Sequence, residues 1–359
     1  MPRLSFPFPA WTLLQVCLAH CAHGRRVCHR VGMRVGTWVG ASLLATLILS
    51  LLPAHAQPSW PHERPIHLIV PFPAGSSPDL LARTLATPLS KKLGQTIVVE
   101  NKPGAGGNIG TRFVARAPAD GYTLLYTING PLVTAPTLYK KSLGYDPFKD
   151  LAPITLVATS PNVLIVNASF PGSTVADFVR YAKTQAGALN YGSVGPGSAS
   201  HLAMELFKKQ AGVELVHVPY AGFPQVVTAV IAQDIQAAFM VPAIAMTQVK
   251  SGKAKALGLT SASTVETLPG VAPLATQGFP GFEAISWNAM LAPAGTPPAI
   301  LNRLNTELAG LLSSPEIQEK FSAQYFSAVG STPAQLQQKM QEEKTRWDAV
   351  IEALKLSLD

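Results

Sequence analysis

The sequence predicts an α/β protein of two domains, each a mainly parallel sheet flanked by helices. Three observations carry this reading. Short β-branched runs alternate with amphipathic stretches almost without interruption, the pattern of a sheet covered on both faces. Of the 359 residues, 303 remain after an N-terminal leader of 56, more than one hydrophobic core usually holds. All three cysteines, Cys17, Cys21 and Cys28, lie in that leader, so the rest must be held by apolar burial, without disulfides or cysteine metal sites.

The leader has the layout of a secretory signal. Val35 to Leu52 is almost wholly apolar, Arg34 stands before it, and "PAHA" places an Ala-x-Ala cleavage site at Ala56. A membrane-spanning helix would need roughly 20 apolar residues. Residues 1–56 are therefore expected to be a cleaved signal peptide, with Met33 the true start, and the mature protein to be exported from Gln57. Five of the 28 basic residues and none of the 20 acidic ones leave with it, so the net charge falls from +8 to +3. The remaining Lys and Arg are scattered, which argues against nucleic-acid binding.

The elements follow in order. "IHLIV" (Ile66 to Val70) reads as a buried strand and Pro78 to Leu93 as a helix; "TIVVE" and a helix near Asn108 to Arg116 come next, and "YTLLYT" closes the unit. Then come "VLIV" (Val163 to Val166), a helix over Val175 to Gln185, "LNYGS", a helix over Ala199 to Gln210, "ELVHV" and a helix over Phe223 to Ala232. "IQAAFM", a helix near Ala243 to Val249 and "AKALGLT" complete the run. The C-terminal part gives one strand, "WNAMLAP", a Pro-started helix and a terminal helix over Pro333 to Leu356. The chain is expected to cross between domains near Thr155 to Ser160 and near Ala284 to Trp287. Residues 57–158 with 286–359 then form the first domain and 159–285 the second.

Three strand-to-helix junctions stand out. In "IVPFPAGSSPDLLAR", Ser77 reads as an N-cap, Pro78 suits the first helical position and Asp79 the first turn. "YGSVGPGSASHLAMELF" runs through Gly192, Ser193, Gly195 and Gly197 into a helix capped by Ser198 or Ser200, and "VHVPYAGFPQ" sets Tyr220 beside Gly222. The first N–H groups of a helix have no partner inside it and attract an anion. Two domains offering such donors form a cleft for one carboxylated molecule.

These residues resemble a known family. "PIHLIVPFPAGSSPDLLAR", "GQTIVVENKPGAGGNIG", "ADGYTLL", "YGSVGPGSASHLAMELFK", "VHVPYAG" and "LAPAGTP" look like successive blocks of the Bug proteins, the extracytoplasmic solute receptors of tripartite tricarboxylate transporters. The resemblance runs from about Pro65 to the C-terminus. It implies a type II periplasmic-binding-protein-like fold with a cleft between its domains, a periplasmic location and no enzymatic activity. A small carboxylate (di- or tricarboxylate, acidic amino acid or aromatic carboxylate) would be passed to membrane permease subunits by a monomer without cofactor or metal. Carried over by position, it places Phe72, Ala74, Gly75, Ser76, Ser77 and Asp79 on one lip, with Thr127 and Asn129 close by. Ser193, Gly195, Gly197, Ser198 and His201 fall on the other lip, and Tyr220, Ala221 and Gly222 line the cleft. The family commonly has glycine where Ser76 stands and a small hydroxylated residue where Pro78 stands. A positive φ at Ser76 would strain it; otherwise its hydroxyl is an extra donor.

Plainer readings compete. His201 either faces the ligand or fixes its loop, or else simply sits on the helix surface or bonds a neighbouring carbonyl; His217 reads as structural, and Asp79 serves either the helix terminus or the amino group of an amino-acid ligand. "NKPGAGGNIG" (Asn101 to Gly110) fails the dinucleotide fingerprint at Ile109, lacks the Gly-Lys-Ser/Thr end of a P-loop, and reads as a close-packed turn next to the cleft. A periplasmic hydrolase is the rival from another class, but neither Ser193 nor Ser198 lies in Gly-x-Ser-x-Gly and the four mature histidines show no metal spacing. A ligand sensor feeding a signalling partner is the other alternative.

Overall fold

The computed structural model describes residues 60–185 and 187–359. The expected signal peptide and the start at Met33 lie outside the described residues. Two sheets organise the chain. The first has six strands in the order β11-β4-β10-β3-β1-β2: β1 (Ile66–Val70), β2 (Ile97–Asn101), β3 (Thr123–Ile128), β4 (Leu151–Ser160), β10 (Ser286–Pro293) and β11 (Ser327–Ala328). The second has five, in the order β7-β6-β8-β5-β9: β5 (Val163–Asn167), β6 (Asn190–Ser193), β7 (Val216–Pro219), β8 (Ala237–Met240) and β9 (Ala254–Leu259).

The α/β class holds, and the sheets are mixed where mainly parallel ones were expected. β1 runs parallel to β2 and β3, and β6 parallel to β7 and β8. These are the strands joined by crossover helices, which enforce one direction. Every antiparallel pair involves a strand at which the chain changes sheets (β4, β5, β9 or β10): β10 against β3 and β4, β11 against β4, and β5 against β8 and β9. Only buried Pro161 and Asn162 separate β4 from β5. On the return, Ser286 pairs with Ser160, so the two passages lie side by side. The β4–β10 ladder shifts register between Asn288 and Ala289 and again between Met290 and Leu291, local irregularities that bend a strand.

Helices α1 (Ser77–Leu93), α2 (Asn108–Ala115), a short α3 (Ala135–Leu138), α8 (Pro298–Leu312), α9 (Pro315–Ser322) and α10 (Pro333–Ala353) belong with the first sheet by sequence, and α4 (Val175–Thr184), α5 (Ala199–Ala211), α6 (Phe223–Ala232) and α7 (Pro242–Lys250) with the second. Their ends follow local chemistry. α1 stops at Gly94, whose φ of 67° lets its N–H reach Ser90 O, and Lys91 and Lys92 face the negative end. Thr174 with Asp177 and Thr332 with Gln335 form reciprocal capping boxes at α4 and α10. Elements beyond the sequence expectations include β4, β11, α9, and a π-helical turn over Gly130–Thr134 with the α3 it leads into.

One buried cluster joins Ile69, Leu125 and Trp287 of the first sheet with Leu164 and Phe239 of the second and Phe178 and Phe207 of helices α4 and α5, and includes Trp347 and Ile351 of α10. α10 packs on both β4 and α5, so the terminal helix binds elements of both sheets together. Buried apolar area contributes roughly 25 cal/mol per Å².

Candidate ligand cleft

The β1–α1 junction turns on Gly75, whose φ is 80°. The left-handed position therefore falls on glycine, and Ser76, with φ −70° and ψ 158°, is unstrained extended backbone. Ser76, not Ser77, is the N-cap residue; its side chain does not cap the helix but donates to Pro73 O at 2.6 Å. Asp79 is 2% exposed and saturated by protein: it accepts from Gly75 N (2.9 Å), Asn101 Nδ2 (2.9 Å) and Arg83 Nε (3.0 Å). Burial opposes its charge, but the bonds from Arg83, Gly75 and Asn101 outweigh it and hold the carboxyl below the ordinary range. Asp79 thus fixes the loop instead of awaiting an amino group.

The β6–α5 junction is held from behind in the same way. Gly195 (φ 109°) and Gly197 (φ 74°) make the turn. Ser193, fully buried, contacts His217 Nε2 at 2.7 Å and receives Gly195 N at 3.1 Å, while Gly197 N donates to His201 Nδ1 at 3.0 Å. His201 stacks on His217 with ring centroids 4.1 Å apart, and His217 on Tyr191, whose hydroxyl donates to Glu205. Burial, with the neighbouring His217, pushes the His201 pKa down to about 4 and keeps its ring neutral. Of the roles open to His201, the bond from Gly197 N is that of loop fixation.

These bonds correct one expectation. The amides of Gly75, Gly195, Gly197 and Ser198 are not orphans: Asp79, Ser193, His201 and the Gly195 carbonyl already accept from them. Tight turns close on themselves. Among the described residues no acceptor is found for Ala74, Ser77 and Asp79 at the start of α1, or for Ala199 and Ser200 at the start of α5. The available donors belong to the flanking residue or the first helical turn, not to the glycines.

A cavity of about 420 Å³ lies between elements of the two sheets. Phe72, Asn129, Gly197 and Ser198 line it, among the residues expected at the site. Ala74, Gly75 and Ser77 are exposed outside its wall; Ser76 and Asp79 sit beside them, Gly195 lies in the second loop off the wall with Ser193 and His201 behind it, and Thr127 is buried in β3, its hydroxyl without a partner among the described residues. Tyr220, Ala221 and Gly222 fall outside the wall, and their neighbour Phe223 lines it.

The sequence reading missed several lining residues. Asn108 and Gly106 come from the glycine-rich stretch read as a close-packed turn; its packing is real, since a Cβ on Gly107 would fall 2.8 Å from the Phe72 ring. Asn162 lies in the link between β4 and β5, and its Nδ2 reaches Ala284 O at 3.5 Å. Leu138, Trp347 and Leu358 come from segments with no motif to mark them. Among the described residues that line the cavity there is no Asp, Glu, Lys, Arg or His. Instead the wall includes residues at the starts of α2 (Asn108), α5 (Ser198), α6 (Phe223) and α7 (Val241), four positive dipole ends.

A family model described as the tripartite tricarboxylate transporter family receptor matches residues 81–356. The chain belongs to this family. The Bug resemblance read from the sequence blocks is borne out: the chain is 36% identical over 292 residues to BugT of Bordetella pertussis, covering 80% of this chain and 88% of that one. Among solved structures of such receptors, a protein of R. palustris with adipate is 34% identical at a TM-score of 0.72, covering 83% and 99% of the two chains. MatC of Rhodopseudomonas palustris with bound malate is 29% identical at a TM-score of 0.67, covering 81% and 99%.

In this receptor the Ser193–His217 contact is not laid out as a nucleophile. Ser193 is fully buried off the cavity, and among the described residues no carboxylate bonds His217; Glu205 is engaged by Tyr191 and Lys208. No helix among the described residues is long and apolar enough to cross a membrane, and no cluster of three metal-ligating side chains occurs among them.

Proposed function

We propose that this receptor works in the periplasm, closing on a small carboxylate anion and handing it to the permease subunits of a tripartite transporter without chemical change. The first domain comprises residues 57–158 and 286–359, the second 159–285, and the paired passages at Ser160 and Ser286 form the hinge. Asn129, Gly197 and Ser198 contact the guest, with the lip residues Ala74 and Ser77 and the third junction, Tyr220 to Gly222, approaching as the domains close.

One observation carries the reading: among the described residues, the wall of the cavity between the two sheets includes four helix starts and no Asp, Glu, Lys, Arg or His. Such a wall favours a negative guest without the desolvation cost of a buried cation. The adipate and malate bound by relatives support the same class. The test is a thermal-shift screen of the chain from Gln57 against carboxylates and neutral sugars. A carboxylate at 100 times its Kd should add about 2.7 kcal/mol, and sugars nothing. Stabilisation by sugars alone would overturn the ligand class, and turnover of a bound acid, followed chromatographically, would overturn the receptor role.

A further inference from the structure

The cavity has a second chemical character that the carboxylate reading leaves unused. Leu138, Trp347 and Leu358 line it together with Phe72, Ile128 and Phe223. Leu358 is held there by specific contacts: its N–H donates to Leu138 O at 2.7 Å, and the next residue, Asp359, accepts from Lys141 N at 2.9 Å and Ser142 N at 3.1 Å. Leu138 and Leu358 also press on the second loop. A Cβ on Gly197 would fall 2.8 Å from Leu138 Cδ1 and 3.2 Å from Leu358 Cδ1.

An apolar wall and an absence of lining cations pull in one direction. A guest with three carboxylates would bury charges that dipole ends alone must balance, and each unmatched charge is costly to desolvate. A guest with an apolar body gains affinity from the wall, about fourfold for each methylene buried.

We propose that the site takes a carboxylate with an apolar body, and that Leu358, seated against Leu138, sets how long that body can be. This rests on the carboxylate reading above. Calorimetric titration with linear monocarboxylates of roughly four to ten carbons, alongside citrate, tests it. Affinity should rise about fourfold per methylene to a limiting length, and every well-fitting monocarboxylate should bind more tightly than citrate. Leu358→Ala should move the optimum longer by about one carbon, and the longer Leu358→Met should move it shorter. A merely structural role would weaken all lengths alike in both variants. Circular dichroism establishes folding, and the conservative Leu358→Met keeps the test open should Leu358→Ala fail to fold. Citrate binding more tightly than every monocarboxylate, or an unmoved optimum in a folded variant, overturns the proposal. Failure of all carboxylates, citrate included, would instead sink the underlying reading.

Discussion

His201 accepts the amide hydrogen of Gly197 through Nδ1 at 3.0 Å, a bond that only the neutral ring can make. A protonated ring would turn that acceptor into a donor facing a donor. The loop that presents Gly197 and Ser198 to the cavity is therefore tied to one protonation state of a ring stacked on His217.

Stability should consequently depend on pH in a defined window. His201 has a folded pKa of about 4, below the ordinary 6.5, so the unfolded chain binds the proton more readily. Its contribution is complete above pH 6.5 and is lost as pH falls toward 4, on the order of 3 kcal/mol. His217, lowered by its own burial, acts in the same direction. Urea unfolding at pH 7, 5 and 4 should show the loss, and His201→Gln should flatten it; an unchanged pH profile in that variant would refute the assignment.

Asp79 operates lower on the pH scale. Its depressed pKa means that its stabilisation is present above the ordinary carboxylate value and disappears as pH falls below it. At pH 7, Asp79→Ala strands the Gly75 amide, Asn101 and Arg83 and should cost about 2–3 kcal/mol. The Arg83 ion pair contributes little of this, because the arginine side chain is 49% exposed. Chemical denaturation measures it, and the Asp79→Ala penalty should shrink at pH 3.

Two glycines allow backbone strain to be separated from crowding. Gly75 and Gly197 have φ of 80° and 74°, but a Cβ on Gly75 meets nothing within 4 Å. Gly75→Ala should cost about 1 kcal/mol from backbone strain, and Gly197→Ala about 1 kcal/mol more, because Leu138 and Leu358 must move. Equal losses in thermal unfolding would contradict the close packing at Gly197.

Closure predicts a change in shape. Small-angle scattering should give a smaller radius of gyration at saturating ligand than without it, because the passages at Ser160 and Ser286 lie side by side and bend together. Superimposable curves would mean that the domains do not move.

Much of this architecture was legible because it is local. The alternation of "IHLIV", "VLIV" and "IQAAFM" with amphipathic stretches located strands and helices, and proline and capping chemistry set starts such as Ser77, Val175 and Pro333 to within a residue. Antiparallel pairing was not legible, since Ser286 meets Ser160 through contacts distant in sequence. At the site, the junctions were found because glycine and serine announce turns. Which amides remain available depended on Asp79 and His201 folding back onto the loops, a matter of side-chain rotamers. Asn162, Trp347 and Leu358 reach the cavity by tertiary packing alone, and single asparagines, tryptophans and leucines carry no local signature.

Peptide groups survive every point substitution except proline. Because the described wall carries no Asp, Glu, Lys, Arg or His, the field of its helix starts is inherited with the backbone, and a change of a leucine or aromatic around it leaves that field in place. On the carboxylate reading proposed above, descendants of such a scaffold would trade one acid for another by changing shape alone, keeping the anchor throughout.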